Sequence, residues 1–504
     1  MNACPIGEAL RRDRPGFHPA SQTHGRNDRT TRHSNSAWHG RLAHVWRNWN
    51  GRLIQSALAG LLLFLAASVP SARAADADEI KQLRGQIRAL EQRLDELEKK
   101  QANSEAAATA AAQTAPKVSI SDQGLLLASA DSANAIRLRA LVQVDSRLFF
   151  QDGGLANNSF VLRRARFIAE GMIDKIYNFQ LVPEYAGSSV IVLDANLAMT
   201  LSPAAQLKFG RFKPPIGLEL LQSDAATLFA ERSLVTNFVP NRDLGAQLGG
   251  SFLDGAVTYT AGVFNGVADG AYTTNADFDN DKDVVARVFA QPFKSNANSP
   301  LQGLGFGVAG SRGREKTASA LTSGYKTDGQ QVFFRYRSTA FGDGQSWRVS
   351  PQAYYYHGPF EMLGEYAVSA VDVRSAPTSP KTELRHHAWQ LATGYMLTGE
   401  KASYGGVIPA HPFRPGQAGW GAWEVAARYA NLKIDDNAFP VFADPAASAA
   451  EATAWGIGVN WYLNKTVRAT LDYSRTRFDT VLPSTSVLLR QDEHALITRL
   501  QLAF

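Results

Sequence analysis

The sequence is short of the groups that many enzymes and disulfide-bonded proteins require. Its 504 residues include a single cysteine, Cys4, so no disulfide framework or multi-cysteine metal site is available. No G-x-S-x-G, H-E-x-x-H or phosphate-loop motif occurs. Only one long apolar run is present, at residues 53–69. We therefore expect a protein that is not an enzyme and that holds no cofactor and no metal.

The apolar run has the flanks of a secretory signal peptide. Arg47 and Arg52 precede it, and Ala72-Arg73-Ala74 follows as a small-residue cleavage site. A transmembrane anchor is the alternative, but the run is short for a hydrocarbon core of about 30 Å. The pattern predicts a leader over residues 1–74 with cleavage after Ala74, and therefore an exported protein.

Most of the excess positive charge lies in that leader. Residues 1–74 hold ten arginines and three acidic residues, a net charge of +7, whereas the whole chain carries +6. The remainder is therefore near −1, and the sequence pI of about 9.2 is no evidence for a nucleic-acid partner. Cys4 lies in the leader as well, so the exported part contains no cysteine.

A heptad pattern follows the leader. One core position is occupied by Ile80, Ile87 and Leu94, and the other by Leu83, Leu90 and Leu97. Three unbroken heptads predict a short periplasmic coiled coil over residues 78–101. A lone amphipathic helix is the alternative. The Ala- and Thr-rich residues 102–119 are interpreted as a linker.

From residue 120 to the end, the sequence alternates between apolar and polar residues in segments of about ten. In the last segment Phe504, Leu502 and Leu500 share one face, while Gln501 and Arg499 lie on the other. A soluble sandwich also alternates, but export favours an outer-membrane barrel. About seventeen segments are found. Because bacterial barrels have even strand numbers and residues 332–336 are the weakest segment, we predict an all-β fold, a 16-stranded antiparallel transmembrane barrel with an aqueous lumen.

Several motifs, in order along the chain, resemble those of the phosphate-selective porin O and P family. They are Leu162-Arg163-Arg164-Ala165, residues 208–213, Gly217-Leu218-Glu219, Ser223, Glu231-Arg232, residues 242–245, residues 394–400, residues 421–424, Arg428-Tyr429 and residues 458–462. The resemblance implies a trimeric 16-stranded channel that passes anions by diffusion, and a constriction loop near residues 214–241. Some relatives carry a similar amino-terminal coiled coil.

Arginine suits an anion pathway because its planar fork stays protonated and donates paired hydrogen bonds. The candidate anion-binding residues form two groups. Alternation places Arg137, Arg139, Arg147, Arg164 and Arg166 on the lumen faces of two strands, and the resemblance places Arg211, Lys213, Arg232 and Arg242 at or beside the constriction loop. The candidate loop residues are Glu219, Ser223, Asp224 and Glu231. The alternative is that these cations pair with carboxylates such as Asp145, Glu170 and Glu184 in an ordinary transverse field.

One position departs from the family pattern. In phosphate-specific members a lysine follows the loop serines, whereas Asp224 and Ala225 stand here. An anion site tolerates that carboxylate only if a neighbouring cation neutralises it. Strict phosphate specificity is therefore not predicted.

Two other features of the sequence, an aspartate cluster and a histidine of the last strand, suggest different functions. Asp277, Asp279, Asp281 and Asp283 alternate in an expected outer loop, where a solvated loop is favoured over a calcium site. His494 lies on the lipid-facing side of the last strand, but nothing pairs it with a serine as an outer-membrane phospholipase requires.

The sequence thus predicts a bacterial outer-membrane porin that passes small anions, phosphate or polyphosphate among them, through an arginine-lined constriction. The alternatives are a general or organic-anion porin and a structural outer-membrane tether. The expected partners are two further copies of the chain, membrane lipid and lipopolysaccharide, small anionic solutes, and the barrel-assembly machinery, which would recognise the strand ending at Phe504.

Overall fold

The computed structural model describes residues 77–150, 156–272, 279–316, 321, 324–482 and 491–504. The predicted leader and Asp277 lie outside these residues. The amino-terminal helix runs from Ala77 to Thr114, and the apolar heptad side chains are exposed along it, from 46% for Ile80 to 66% for Leu90. The helix continues beyond the predicted coiled coil and through most of the segment interpreted as a linker. Alanine is the best helix former, which explains the extension.

Among the described helices, none has both the length and the apolar character that crossing a membrane requires.

Twenty strands follow the helix. In chain order they are β1 Lys117–Ser121, β2 Gly124–Ala128, β3 Ala135–Phe149, β4 Ser159–Ile173, β5 Tyr177–Glu184, β6 Ile191–Ser202, β7 Ala205–Phe212, β8 Asp243–Phe252, β9 Val257–Phe264, β10 Asp283–Ala290, β11 Leu304–Lys316, β12 Tyr325–Lys326, β13 Val332–Phe334, β14 Phe341–His357, β15 Phe360–Arg374, β16 Thr382–Met396, β17 Ala422–Lys433, β18 Glu451–Tyr462, β19 Val467–Asp479 and β20 Glu493–Ala503. Sixteen of them, β3–β11 and β14–β20, form a closed antiparallel barrel, as predicted.

The barrel closes between its first and last strands. In the β20–β3 pair, Leu502 lies opposite Val142 and Ala503 opposite Leu141. The pairing runs on to the last residue, because the Ala140 N–H donates to the Phe504 carbonyl at 2.9 Å. β2 pairs with the beginning of β3 and β1 pairs with β2, so this hairpin continues the sheet beside the ring without being part of it.

The alternation predicted for the last strand is present in the barrel. Arg499 and Gln501 are buried on the inner face, whereas Leu500 is 58% exposed on the outer face. An apolar outer face matches the lipid, and the polar inner face lines the lumen.

Two short strands lie inside the barrel. β12 and β13 pair only with each other, and their aromatic residues Tyr325, Phe333 and Phe334 are almost fully buried. They pack against apolar inner-wall residues such as Ala388 and Leu432. Exclusion of residues 332–336 from the barrel count is thereby confirmed. Because the inner wall is apolar here, a covering segment removes it from water.

Candidate functional site: the constriction

The connection between β7 and β8 folds into the barrel, at the position predicted for the constriction loop. It contains a helical turn, Leu218–Leu221, and a 3-10 turn, Leu234–Phe238. Wall side chains donate hydrogen bonds to its backbone carbonyls: Gln143 to Asp224 at 2.9 Å, Gln501 to Ala225 at 3.0 Å, Arg468 to Thr227 at 2.9 Å and Asn460 to Leu228 at 2.8 Å. Donors from four strands therefore fix the loop against the wall.

Asp224 lies at the centre of an arginine cluster. Its carboxylate accepts hydrogen bonds from Arg166 and Arg232, and Arg164 approaches it at 3.2 Å. Arg166 also donates to Glu184 at 2.6 Å. Burial by itself would raise the pKa of Asp224, but the three guanidinium groups hold it well below its usual range. The carboxylate that departs from the family pattern is thus neutralised locally.

Glu231 occupies a second arginine cluster beside the first. Arg163 donates to both of its carboxylate oxygens, at 2.5 and 2.9 Å, while Arg147 and Arg499 approach it at 2.8 and 3.0 Å. Arg147 and Arg499 also pair with Asp145 on the wall. These arginines hold the pKa of Glu231 well below its usual range, against the opposing effect of burial.

Glu219 connects the loop to itself and to the opposite wall. Its Oε2 accepts hydrogen bonds from the Ser233 N–H at 2.9 Å and from Gln390 Nε2 at 2.9 Å. Arg428 lies 3.4 Å from its Oε1 and also donates to Asp328 at 2.8 Å. Asp328 belongs to the turn between β12 and β13. Arg428 therefore links the constriction loop to the inward hairpin.

Ser223 has a local role in the loop. Its carbonyl accepts from the Ala226 N–H at 2.9 Å, and its hydroxyl accepts from the Ala225 N–H at 3.3 Å. These bonds close the turn that presents the neighbouring Asp224 to the wall.

Two predicted arginines lie away from the constriction loop. Arg137 donates to Gln123 at 3.4 Å, in the turn between β1 and β2, and Arg139 pairs with Glu170 at 3.3 Å. Both belong to the first part of β3, at the end of the barrel where short turns connect the strands.

Three further predicted cations lie where the loop meets β7 and β8. Arg242 pairs with Asp194 on β6 at 3.3 Å, and the Lys213 ammonium donates to the Leu220 carbonyl within the loop. Arg211 is the second-last residue of β7, and its Nε is buried without a hydrogen-bond partner among the described residues. Of the nine predicted cations, the structure brings Arg147, Arg164, Arg166 and Arg232 together on the loop carboxylates.

Sequence reasoning did not select four arginines that contact the loop: Arg163, Arg428, Arg468 and Arg499. In a regular strand the side chain of Arg163 would point to the outer face, because its neighbours Leu162 and Arg164 alternate with it. However, the β3–β4 register passes from Gln143–Arg164 to Val144–Leu162, which leaves Arg163 as the extra residue of a bulge. Bulges redirect a side chain in this way. For the other three, strand alternation already gave an inward position.

The inner wall over β7–β10 carries cations of a different kind. The Lys208 ammonium lies 4.4 Å from the Phe212 ring centroid, and the Arg287 guanidinium lies 4.6 Å from that of Phe289. Both rings pack against the constriction loop, so both cations are inside the barrel. Each is partly exposed, and neither forms an ion pair within the described part of the chain.

The wall between these two cations has little side-chain volume. Lys208 on β7 lies opposite Gln247 on β8, and Gln247 in turn lies opposite Gly262 on β9. Arg287 on β10 lies opposite Thr260 on β9, and Thr260 in turn lies opposite Gly249 on β8. Gly249 and Gly262 carry no side chain on the inner face, and the neighbouring Gln247 and Thr260 are neutral hydrogen-bonding groups.

Comparisons with known proteins give a family match and several similar proteins. Residues 136–504 match the phosphate-selective porin O and P family. Porin O of Pseudomonas aeruginosa is 26% identical over 414 residues, which cover 76% of this chain and 91% of that protein. Among solved structures, the outer membrane channel DcaP of Acinetobacter baumannii has a TM-score of 0.48 at 10% identity, covering 74% of this chain and 98% of that one. An anion-selective porin from Comamonas acidovorans has a TM-score of 0.47 at 12% identity, covering 74% and 100%.

Proposed function

Because the chain belongs to the phosphate-selective porin O and P family, we propose that it forms a passive diffusion channel for small anions in the bacterial outer membrane. Phosphate and polyphosphate are among the solutes that the proposal includes, and a general or organic-anion channel is the alternative within the same class. The description of the family as phosphate-selective favours an anion pathway.

The observation that carries the proposal is the charge balance at the constriction. The linked ion pairs around Asp224 and Glu231 join six arginines (Arg147, Arg163, Arg164, Arg166, Arg232 and Arg499) to four carboxylates (Asp145, Glu184, Asp224 and Glu231). Two positive charges are therefore left over in these two clusters, and one remains when the ion pairs of Arg428 with Glu219 and Asp328 are included. An ion that loses water in a narrow passage needs opposite fixed charge, and low-dielectric walls strengthen that field.

Lys208 and Arg287 support an anion route along the β7–β10 wall. Their charges are not cancelled by an ion pair among the described residues, and the neighbouring residues Gln247, Gly249, Thr260 and Gly262 are uncharged. A solute anion passing there meets two cations and several amide or hydroxyl donors. Arg287 keeps its orientation through a 3.0 Å hydrogen bond from its Nε to Gln352.

We include the assembly of three copies in the proposal. The exposed Ile and Leu stripe of the amino-terminal helix is apolar over three heptads, which a coiled coil of several copies would bury. The helix would then lie in the periplasm and hold the barrels together.

The test is the zero-current potential of purified protein in a planar bilayer under a KCl gradient. We expect chloride preference, reduced by Lys208→Met and by Arg287→Gln. Arg314→Gln serves as the matched control. Arg314 is an exposed arginine on β11, and it approaches the loop residue Asp281 at 3.8 Å. Cation preference in the unmodified protein would refute the proposal and point to Glu361 and Glu424, two neighbouring inner-wall carboxylates, as the dominant charges.

A further inference from the structure

We infer that Arg164, Arg166 and Arg232 form an oxyanion-binding cage, and that the chain fills this cage with its own carboxylate, Asp224. Asp224 thereby acts as a specificity-determining residue, because it takes the place of a solute oxyanion at the constriction. The inference rests on the proposed function insofar as the cage borders the anion pathway. Its ligand class is a carboxylate, sulfate or phosphate oxyanion.

The cage has the donor arrangement that an oxyanion requires. Arg232 and Arg164 approach Asp224 Oδ1 and Arg166 donates to Oδ2, so both oxygens are coordinated by guanidinium nitrogens. The three arginines come from two elements, since Arg164 and Arg166 lie on β4 and Arg232 lies on the loop. Guanidinium groups bind planar carboxylate and tetrahedral phosphate oxygens with the same paired geometry.

The cage also keeps its shape through contacts that do not involve Asp224. Arg164 donates to Gln143 Oε1 at 2.6 Å, and Arg166 donates to Glu184 at 2.6 Å. Arg232 donates to the carbonyls of Glu219 at 2.9 Å and Gln222 at 2.8 Å. Each guanidinium therefore has a second anchor that fixes its direction when the Asp224 carboxylate is removed.

Asp224 is a permanent occupant rather than a weak competitor. The residue is only 1% exposed, and its carbonyl is fixed by Gln143, so its carboxylate cannot be diluted away from the arginines. A tethered group of this kind has an effective concentration of at least millimolar order, which exceeds that of scarce solutes. Free oxyanions therefore meet the diffuse positive field of the constriction instead of a vacant site.

Truncating Asp224 to alanine removes the carboxylate and vacates the space between the three guanidinium groups. In the unmodified protein the three arginines face two carboxylates, Asp224 and Glu184, whereas in Asp224→Ala they face only Glu184. The excess at the cage rises from one to two positive charges. A solute oxyanion is then the natural replacement, because leaving buried arginines unpaired is costly.

The experiment uses the full chain and inorganic phosphate as the probe. Chloride current is recorded while phosphate is added, and thermal unfolding is followed with and without phosphate. For Asp224→Ala we expect a half-blocking phosphate concentration at least about tenfold lower than for the unmodified protein, the ratio that one gained charge-assisted contact supplies. Its unfolding temperature should also rise with phosphate, while that of the unmodified protein should not.

Two variants separate a filled cage from a change in net charge. Glu184→Gln removes one buried carboxylate from Arg166 but leaves Asp224 in place, so it should show no gain in phosphate response. The double variant Asp224→Ala/Arg232→Gln restores the charge balance and should lose the response gained by Asp224→Ala. If Asp224→Ala assembles poorly, assembly in phosphate buffer should restore it.

The inference is overturned if Asp224→Ala responds to phosphate no more than the unmodified protein, if Glu184→Gln gains an equal response, or if phosphate does not restore the assembly of a poorly folding variant. Cation selectivity of the unmodified protein is a separate outcome. It would refute the proposed anion channel, while the thermal response to phosphate would still decide whether the cage binds an oxyanion.

Discussion

Arg428 gives the most direct test of how the inward segments are held in place. Its guanidinium approaches Glu219 at 3.4 Å and donates to the Glu231 carbonyl at 2.9 Å and to Asp328 at 2.8 Å. Arg428→Gln should therefore release both the constriction loop and the β12–β13 hairpin. No other described side chain donates to carboxylates of both segments.

The expected size of the effect follows from the buried partners. Removing one member of a buried ion pair costs about 3–5 kcal/mol, because the remaining charge is left without a counter-ion. Burial already raises the pKa of Asp328 above its ordinary value, and without Arg428 this carboxyl can take up a proton. That neutralisation limits the loss, so we expect the lower end, about 3 kcal/mol.

Hydrogen exchange measures this loss locally. The Ser233 N–H donates to Glu219 within the loop, and the Gln331 N–H donates to Thr327 within the hairpin, so the two amides report on the two segments. A loss of 3 kcal/mol corresponds to roughly hundredfold faster exchange at both amides. Amides in the barrel strands should be unaffected.

Arg468→Gln is the matched control on a nearby strand. Arg468 donates to the single carbonyl of Thr227 at 2.9 Å and makes no ion pair among the described residues. Its loss should cost about 1.5 kcal/mol, or roughly tenfold in exchange near residue 227 only. Equal exchange in both variants, or unchanged exchange of Gln331 in Arg428→Gln, would refute the view that Arg428 joins the two segments.

Three further predictions concern acidity, selectivity and assembly. Arginines lower the pKa values of Asp224 and Glu231 below the ordinary 3.8 and 4.5, so their stabilisation is fully present above those values and disappears as the pH falls through the lower folded-state values. The protection of the loop amides, taken relative to the intrinsic exchange rate at each pH, should therefore be flat from pH 5 to 8 and fall below about pH 4, whereas a midpoint near pH 6 would contradict this. Burial, assisted by the positive charge of Arg232, lowers the pKa of Lys213 well below its ordinary value. Lys213→Met should therefore change the zero-current potential less than Lys208→Met does. A larger change in Lys213→Met would place Lys213 in the anion pathway. Deleting residues 77–114 should leave the conductance of each pore unchanged while lowering the temperature at which the oligomer dissociates in detergent gels; a loss of envelope integrity instead would favour the tether.

The sequence alone determined the class of fold. A period of two along segments such as β20 fixes which side chains face lipid and which face the lumen, because adjacent residues of a strand point to opposite sides. The same rule placed Arg147, Arg164 and Arg166 on the inner face, and it disfavoured residues 332–336 as a barrel strand. Motif order was sufficient to assign the constriction loop to the chain between β7 and β8.

Only the tertiary structure decided what those charges do. Ion pairing depends on distances between residues far apart in the chain, such as Asp145 and Arg499, and no local pattern encodes which cation meets which carboxylate. A single bulge turned Arg163 inward, against its parity in the sequence. The alternation of each strand thus fixed the inner and outer surfaces. The folding of the loop and the hairpin into the lumen decided which arginines pair with the protein's own carboxylates.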